Sequence, residues 1–234
     1  MSVNRLGYLV ILTICVLLLP GCAKKASEEI DFGTVKNSVY HNDYFGFNLN
    51  LPPEWSVHDE AMRQRLAEAG TKMLVGNDSR AKALLKASEQ QSVNLLAAFK
   101  HPIGTPVTFN PNVICMAERL GGLSGVKTGK DYHSHARRQL QSAQMKIDIA
   151  DELTQENLGG IDFDVMHGSI RVAGLTVHQK YYAAVIKNYA LIFITSYVGA
   201  DQQSALQNIV HSLAFNQPSP GEQVVNARTP AKPK

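Results

Sequence analysis

The chain has 234 residues, with 23 Lys and Arg against 20 Asp and Glu and a formal net charge of +3. The charge is small and the basic residues are scattered, which argues against a nucleic-acid-binding protein. The length is enough for one domain of ordinary size with an adequate hydrophobic core.

The N-terminus has the order of a secretory signal. Arg5 precedes an apolar run over residues 6–19, which is shorter than the roughly 20 residues that a membrane-spanning helix needs. The run ends in Leu19-Pro20-Gly21-Cys22, which resembles a lipobox, although Pro20 departs from the usual pattern. We therefore expect residues 1–21 to be a lipoprotein signal peptide and Cys22 to carry the lipid. An uncleaved anchor or an ordinary secreted protein is the alternative.

Lipidation would attach the protein to a membrane of the bacterial cell envelope. Because Ala23, and not Asp, follows the lipidated Cys, resemblance to other lipoproteins slightly favours the outer membrane, facing the periplasm. Cys15 would leave with the signal peptide, so Cys115 would be the single remaining thiol. One thiol cannot form an intramolecular disulfide, and a hydrophobic core must stabilise the domain.

Composition divides the rest of the chain into three parts. Residues 22–37 are small and polar and are expected to be a tether. Residues 38–216 form the predicted domain. Residues 217–234 contain four prolines and few large apolar side chains, which predicts a disordered Pro-rich tail.

Helical and extended patterns alternate through the first half of the domain. Residues 44–51 alternate apolar and polar side chains, which predicts a strand that Pro52-Pro53 ends before Trp55. Apolar residues recur at helical spacing from Asp59. A short helix is predicted within residues 79–91, and strands over 92–99 and 113–117.

The second half predicts helices around three consecutive strands. Residues 128–131 resemble a capping box that opens a helix to about Gln144. Strands follow over 161–172, 176–186 and 189–197, with Lys187-Asn188 as a tight turn. Asp201 would cap a final helix. The pattern predicts an α+β domain, with an antiparallel sheet covered by helices on one or both faces.

Several short motifs resemble the PsbP-like superfamily, which includes the bacterial envelope lipoprotein DcrB. The matching motifs are Phe45-Gly46-Phe47, Leu51-Pro52-Pro53-Glu54-Trp55, Leu158-Gly159-Gly160, Tyr181-Tyr182 and Ser212-Leu213-Ala214-Phe215. The resemblance covers about residues 38–215. It implies an α/β/α sandwich around an antiparallel sheet and a non-enzymatic role in binding or supporting other envelope proteins. No residue pattern in the sequence points to a cofactor.

The residues themselves give no convincing catalytic or metal site. His133 and His135 lie about 200° apart on the predicted helix and cannot chelate one ion, so we expect both at the surface. Asp162 and Asp164 share one side of a predicted strand, but no third ligand has useful spacing, and we expect both in water. Cys115 lies in an apolar run that predicts a buried strand.

The remaining candidate is a protein-binding surface on the helix from Lys130 to about Gln144. If its apolar stripe turns inward, Ser134, Arg137, Arg138 and Gln141 turn outward, and adjacent Arg side chains can bind an acidic partner. A solvated helix face is the competing interpretation. An envelope hydrolase and a small-molecule-binding lipoprotein are the alternatives for the whole protein.

Overall fold

The computed structural model describes residues 30–75, 91–123, 125–141 and 146–216. Two antiparallel sheets and three α-helices make up this part of the chain. The small sheet has the order β1-β2-β3-β12, with β1 Thr34–Lys36, β2 Val39–Asn42, β3 Phe47–Asn50 and β12 Ala214–Phe215. No helix in the described ranges is long and apolar enough to span a membrane.

The large sheet has the order β4-β5-β6-β11-β10-β9-β7, and β8 also pairs with β9. Its strands are β4 Ser56–Val57, β5 Ser92–Phe99, β6 Asn112–Arg119, β7 Ile147–Ile149, β8 Thr154–Leu158, β9 Ile161–Val172, β10 Leu175–Ile186 and β11 Tyr189–Tyr197. The helices are α1 Glu60–Val75, α2 Gly129–Gln141 and α3 Ala200–His211. The α+β class expected from the sequence is confirmed.

The late strands match their predictions closely. Lys187 and Asn188 join β10 to β11 with φ angles of 50° and 64°. Positive φ at both central residues is the geometry of a type I′ turn, whose twist matches that of the flanking strands. This two-residue turn sets the register, so that Ile186 pairs with Tyr189 and His178 with Tyr197.

The early part of the domain differs from its prediction. The expected single strand over residues 44–51 is a turn followed by β3, which forms a hairpin with β2. Gly46 allows the turn because its φ is 69°. Residues Thr34–Lys36, expected in the tether, form β1 by pairing with β2. Residues 1–29, the helix expected within 79–91 and the tail lie outside the described residues.

One face of the large sheet packs against the small sheet and α3 through aromatic side chains. Phe193 of β11 lies with its ring centroid 5.6 Å from Phe47 of β3 and 5.9 Å from Phe163 of β9. All three side chains are fully buried. The residues that α3 contributes to this layer are Leu206, Ile209 and Val210, as its apolar spacing predicts. Its N-cap, however, is Gly199 and not the predicted Asp201, which lies in the first turn.

The opposite face of the large sheet carries α2. Tyr132 packs there with Ala183, Ala190, Ile192 and Leu120. The large sheet is therefore covered on both faces, as expected, but one of its covering layers is a second sheet together with a helix. This arrangement places the outer side of α2, which holds Ser134, Arg138 and Gln141 of the predicted binding residues, on the surface of the molecule.

Candidate functional site

The start of α2 is fixed by the predicted capping box. Asp131 donates its backbone N–H to Thr128 Oγ1 at 3.1 Å, and Thr128 donates its own N–H to Asp131 Oδ2 at 3.0 Å. Lys127 donates to the same carboxylate oxygen at 3.0 Å, and this bond is the largest cause of the lowered pKa of Asp131. The reciprocal bonds satisfy helix N–H groups that have no partner within the helix.

A second carboxylate holds the same helix end from below. Lys130 donates its N–H to Asp164 Oδ2 at 2.7 Å. The positive end of the helix dipole stabilises the negative charge of a carboxylate placed there. The helix lies so close to β10 that a Cβ atom on Gly129 would stand 2.0 Å from the carbonyl oxygen of Ala183. Glycine is therefore required where α2 begins.

The four candidate binding residues do not share one environment. Ser134, Arg138 and Gln141 are exposed, as expected. Arg137 is not, because its side chain is only 20% exposed and its guanidinium donates to the carbonyl oxygens of Ala150 at 2.7 Å and Asp151 at 3.2 Å. Arg137 therefore attaches α2 to the loop between β7 and β8, and Arg138 remains the exposed guanidinium of the pair.

The expectation that both histidines lie at the surface is wrong for His133. Its side chain is buried against the sheet, with Nε2 2.9 Å from the carbonyl oxygen of Asp164. Burial is the main cause of its lowered pKa, so the ring is neutral at pH 7. The residues that the structure describes include no cluster of three His, Cys, Asp or Glu side chains that could hold a metal ion.

The two carboxylates of β9 also have separate roles. Asp162 is exposed and accepts from Asn157 Nδ2 at 2.7 Å. Asp164 is half-buried beneath α2 and does not lie in water as expected, because it accepts from Lys130. Asp162 and Asp164 lie on the same face of β9, as predicted. The sequence around them did not predict that α2 covers this face at Asp164.

Cys115 lies in β6 with no exposed surface, as its apolar neighbours predict. Burial raises the pKa of its thiol well above the ordinary value. A thiol that is protonated at neutral pH is a poor nucleophile and a poor metal ligand. Its contribution is to packing between β5 and β11.

A charged cluster on the α3 side was missed by sequence reasoning. Lys180 Nζ lies 3.1 Å from Glu156 Oε1, and His211 Nε2 lies 2.9 Å from Glu156 Oε2. Burial opposes ionisation of Glu156, but the hydrogen bonds from His211 and Lys180 outweigh it and lower its pKa. The residues come from β8, β10 and the end of α3, so no local motif predicts their association.

A shallow cleft of about 340 Å³ opens between β1, β4 and α1. Arg63 lines it, but its guanidinium donates to the backbone carbonyl oxygens of Asn94 and His58 at 2.9 and 3.0 Å. The carboxylate of Asp59, also at the cleft, accepts the N–H of Met62 in the first turn of α1. Arg63 therefore holds α1 against β5 and the residues after β4, and Asp59 caps the start of the same helix.

No family model matches the chain, and no curated protein matches it. Its fold is similar to several solved structures, as the sequence resemblance predicted. Cyanobacterial PsbP from Synechocystis is 12% identical with a TM-score of 0.45, over 79% of this chain and 96% of that one. LpqN of Mycobacterium tuberculosis, described as involved in cell envelope biogenesis, is 14% identical with a TM-score of 0.40, over 73% and 83%.

A protein of unknown function from Pseudomonas aeruginosa, described as a putative regulator, is also similar. It is 12% identical with a TM-score of 0.38, over 55% of this chain and 83% of that one. All three likenesses concern the fold alone.

Proposed function

We propose that this protein is a lipid-anchored protein of the bacterial cell envelope whose α+β domain binds another envelope protein. The observation that carries the proposal is the apolar run over residues 6–19 that ends in Leu19-Pro20-Gly21-Cys22. This order resembles a signal peptide followed by a lipidation site, with Pro20 as the one departure, and the apolar run is too short for a membrane-spanning helix. The compact unit begins at Asp31, soon after the proposed anchor.

The contacts of the charged side chains support a binding role over a chemical one. Asp164, Arg137 and Glu156 each hold one element of the fold against another. A catalytic site needs such groups to converge on a space that a substrate can occupy. Here these three side chains are engaged in fixing α2 and α3.

The outer side of α2 is the proposed binding surface. Its three exposed candidates are Ser134, Arg138 and Gln141. Because the helix is fixed at its start by Thr128 and Asp164, it presents these side chains on a rigid scaffold, which reduces the entropy lost on binding. An exposed Arg favours a partner with carboxylates at the contact.

The anchor is tested by labelling cells that express the full chain with a radioactive fatty acid. We expect the purified protein to carry the label and to sediment with membranes. Cys22→Ser should lose the label, whereas the matched variant Cys15→Ser, altered within the signal, should keep it. Label that persists in Cys22→Ser would contradict the assignment of the lipidation site.

A further inference from the structure

Two exposed apolar side chains lie close to the point where the chain enters the domain. Phe32, just before β1, has 40% of its surface exposed, and Val35 in β1 has 42%. Val35 lines the cleft between β1, β4 and α1, and the Phe32 ring lies 5.9 Å from the guanidinium carbon of Arg63, which lines the same cleft. Phe32 and Val35 therefore form one apolar surface at this edge of the domain.

The backbone around Phe32 is held in a defined shape. The Tyr40 hydroxyl donates to the carbonyl of Phe32 at 3.0 Å, and Gly33 donates its N–H to Asp31 Oδ1 at 3.0 Å. Gly33 has a φ angle of 72°, and a Cβ atom there would stand 2.5 Å from the Tyr40 ring, so the chain turns tightly around that ring. Little further ordering of this segment is needed for contact with another surface.

The proposed anchor limits how far this surface can lie from the bilayer. Residues 22–29 separate the lipid on Cys22 from Ile30, and a fully extended chain of that length spans at most about 28 Å. Contact between an anchored domain and its own bilayer is effectively intramolecular, so it loses little translational freedom. An apolar surface too small to bind a membrane from solution can therefore bind one when it lies beside the anchor.

We propose that the entry surface (Phe32, Thr34, Val35 and Lys36) lies against the bilayer that holds the Cys22 lipid. This orientation rests on the lipid anchor proposed above and adds to it which side of the domain faces the membrane. Phe32 and Val35 enter the boundary between headgroups and acyl chains, as the apolar side chains of peripheral segments do. The ammonium group of Lys36 stays among the headgroups while its aliphatic stem lies deeper.

Charge does not drive this contact. The basic residues beside the cleft are Lys36 and Arg63, and the acidic ones are Asp31, Asp59 and Glu60. The carboxylates of Asp31 and Asp59 accept backbone N–H groups. Because the two signs are mixed, the contact needs no anionic lipid and persists at high salt, which screens exposed charges but not apolar burial.

A bilayer fits the entry surface better than an added peptide strand does. β1 is an edge strand of the small sheet, but it has only three residues, fewer than the 5 or 6 of a common strand. A partner chain that paired with it would gain few of the backbone hydrogen bonds that give strand addition its affinity. A fluid bilayer needs no such bonds and accommodates two apolar side chains without a matching pocket.

Contact at the entry surface leaves the outer side of α2 accessible to a partner. The entry surface lies beside β4, which is at one edge of the large sheet. α2 lies over β9 and β10 near the other edge, where Lys130 donates to Asp164 and Gly129 approaches Ala183. Four strand spacings separate β4 from β10, which is about 20 Å across the sheet.

The orientation is tested with the full chain, purified with its lipid and reconstituted into phosphatidylcholine vesicles that contain a spin-labelled lipid. A fluorophore is attached at Thr34→Cys or, as the matched control, at Thr176→Cys, an exposed threonine of β10. Cys115 is buried and should stay unlabelled. We expect quenching at position 34 at low and high salt, and little at position 176. An unquenched probe at position 34 in protein that carries the lipid and sediments with the vesicles would overturn the orientation and leave the anchor intact. Protein that acquires no lipid would overturn both.

Two double variants test whether the apolar side chains make the contact. Phe32→Ser with Val35→Ser should lower the quenched fraction at position 34 at least about twofold, while the protein still sediments with the vesicles. Ile103→Ser with Val107→Ser removes apolar side chains of similar exposure from the β5–β6 connection and should leave the quenching unchanged. Equal loss in the two double variants would overturn the proposal. So would quenching at position 34 that appears only at high protein density in the vesicles, because the contact would then require a second copy of the chain.

Discussion

The two faces of the large sheet are covered by different physical means. On one face, Phe193 packs with rings of the small sheet and of β9, and α3 adds a continuous apolar side. On the other, α2 covers smaller side chains such as Ala183 and is held by polar contacts at its start and middle. The first face supplies stability through buried apolar area, and the second positions one helix relative to the sheet.

The largest expected effect lies in the aromatic layer. Phe193→Ala should reduce the free energy of unfolding by about 3 to 5 kcal/mol, because it removes a fully buried ring from between Phe47 and Phe163. Ile192→Val, on the α2 face of the same strand, should cost about 0.5 to 1.5 kcal/mol. Urea unfolding measures both. Similar losses in the two variants would remove the distinction between the faces.

Gly129→Ala tests how closely α2 approaches the sheet. The added methyl group would meet the carbonyl of Ala183 at 2.0 Å, so the helix must shift, at a cost of about 1 to 3 kcal/mol. Gly70→Ala in α1 is the matched control, since no atom lies within 4 Å of its added Cβ. There we expect a gain of about 0.5 to 1 kcal/mol from helix propensity. Destabilisation by both substitutions to the same extent would contradict the close approach.

Adjacent arginines on α2 provide the next comparison. Arg137→Ala removes charge-assisted hydrogen bonds to Ala150 and Asp151 and should cost about 1 to 2 kcal/mol in thermal or urea unfolding. Arg138→Ala alters an exposed side chain and should change stability by less than about 0.5 kcal/mol. Equal effects would show that Arg137 does not attach the helix.

The smallest effect concerns pH. Burial lowers the pKa of His133 in the folded state, so the unfolded chain binds its proton first as pH falls. Stability should therefore decline as pH drops below about 6.5, the ordinary His value, and level off below the folded-state pKa. His133→Gln should reduce this slope. His58 and His167 have pKa shifts in the same direction, so part of the slope should remain. An unchanged slope in the variant would be evidence against burial of a neutral His133.

The difference between the faces also explains what the sequence could predict. Alternating or continuous apolar runs predicted β5, β9 and β11 and the buried side of α3. An apolar side chain is expected to be buried whichever apolar residue it packs against, so its partner need not be known. The environments of His133 and Arg137 could not be predicted this way. Their partners are backbone carbonyls of Asp164 and Ala150, which are present at every residue and leave no local pattern.

The same reasoning applies to the candidate sites. The capping box was predictable because Thr128 and Asp131 are three residues apart. The Glu156 cluster was not, since Lys180 and His211 are distant in sequence. The sequence did not predict β1, because Val35 and both its neighbours in that strand are exposed. A short exposed edge strand has the same composition as a tether.

The most direct test of the partner-binding claim is charge reversal at Arg138 in cells that lack the chromosomal copy of the gene. Arg138→Glu should fail to restore the phenotype of the deletion, while the melting temperature of the purified variant stays close to that of the wild type. Lys72→Glu, an equal charge change at an exposed position of α1, should restore it fully. Full restoration by Arg138→Glu at normal protein levels would contradict the account and exclude the outer side of α2 as the binding surface.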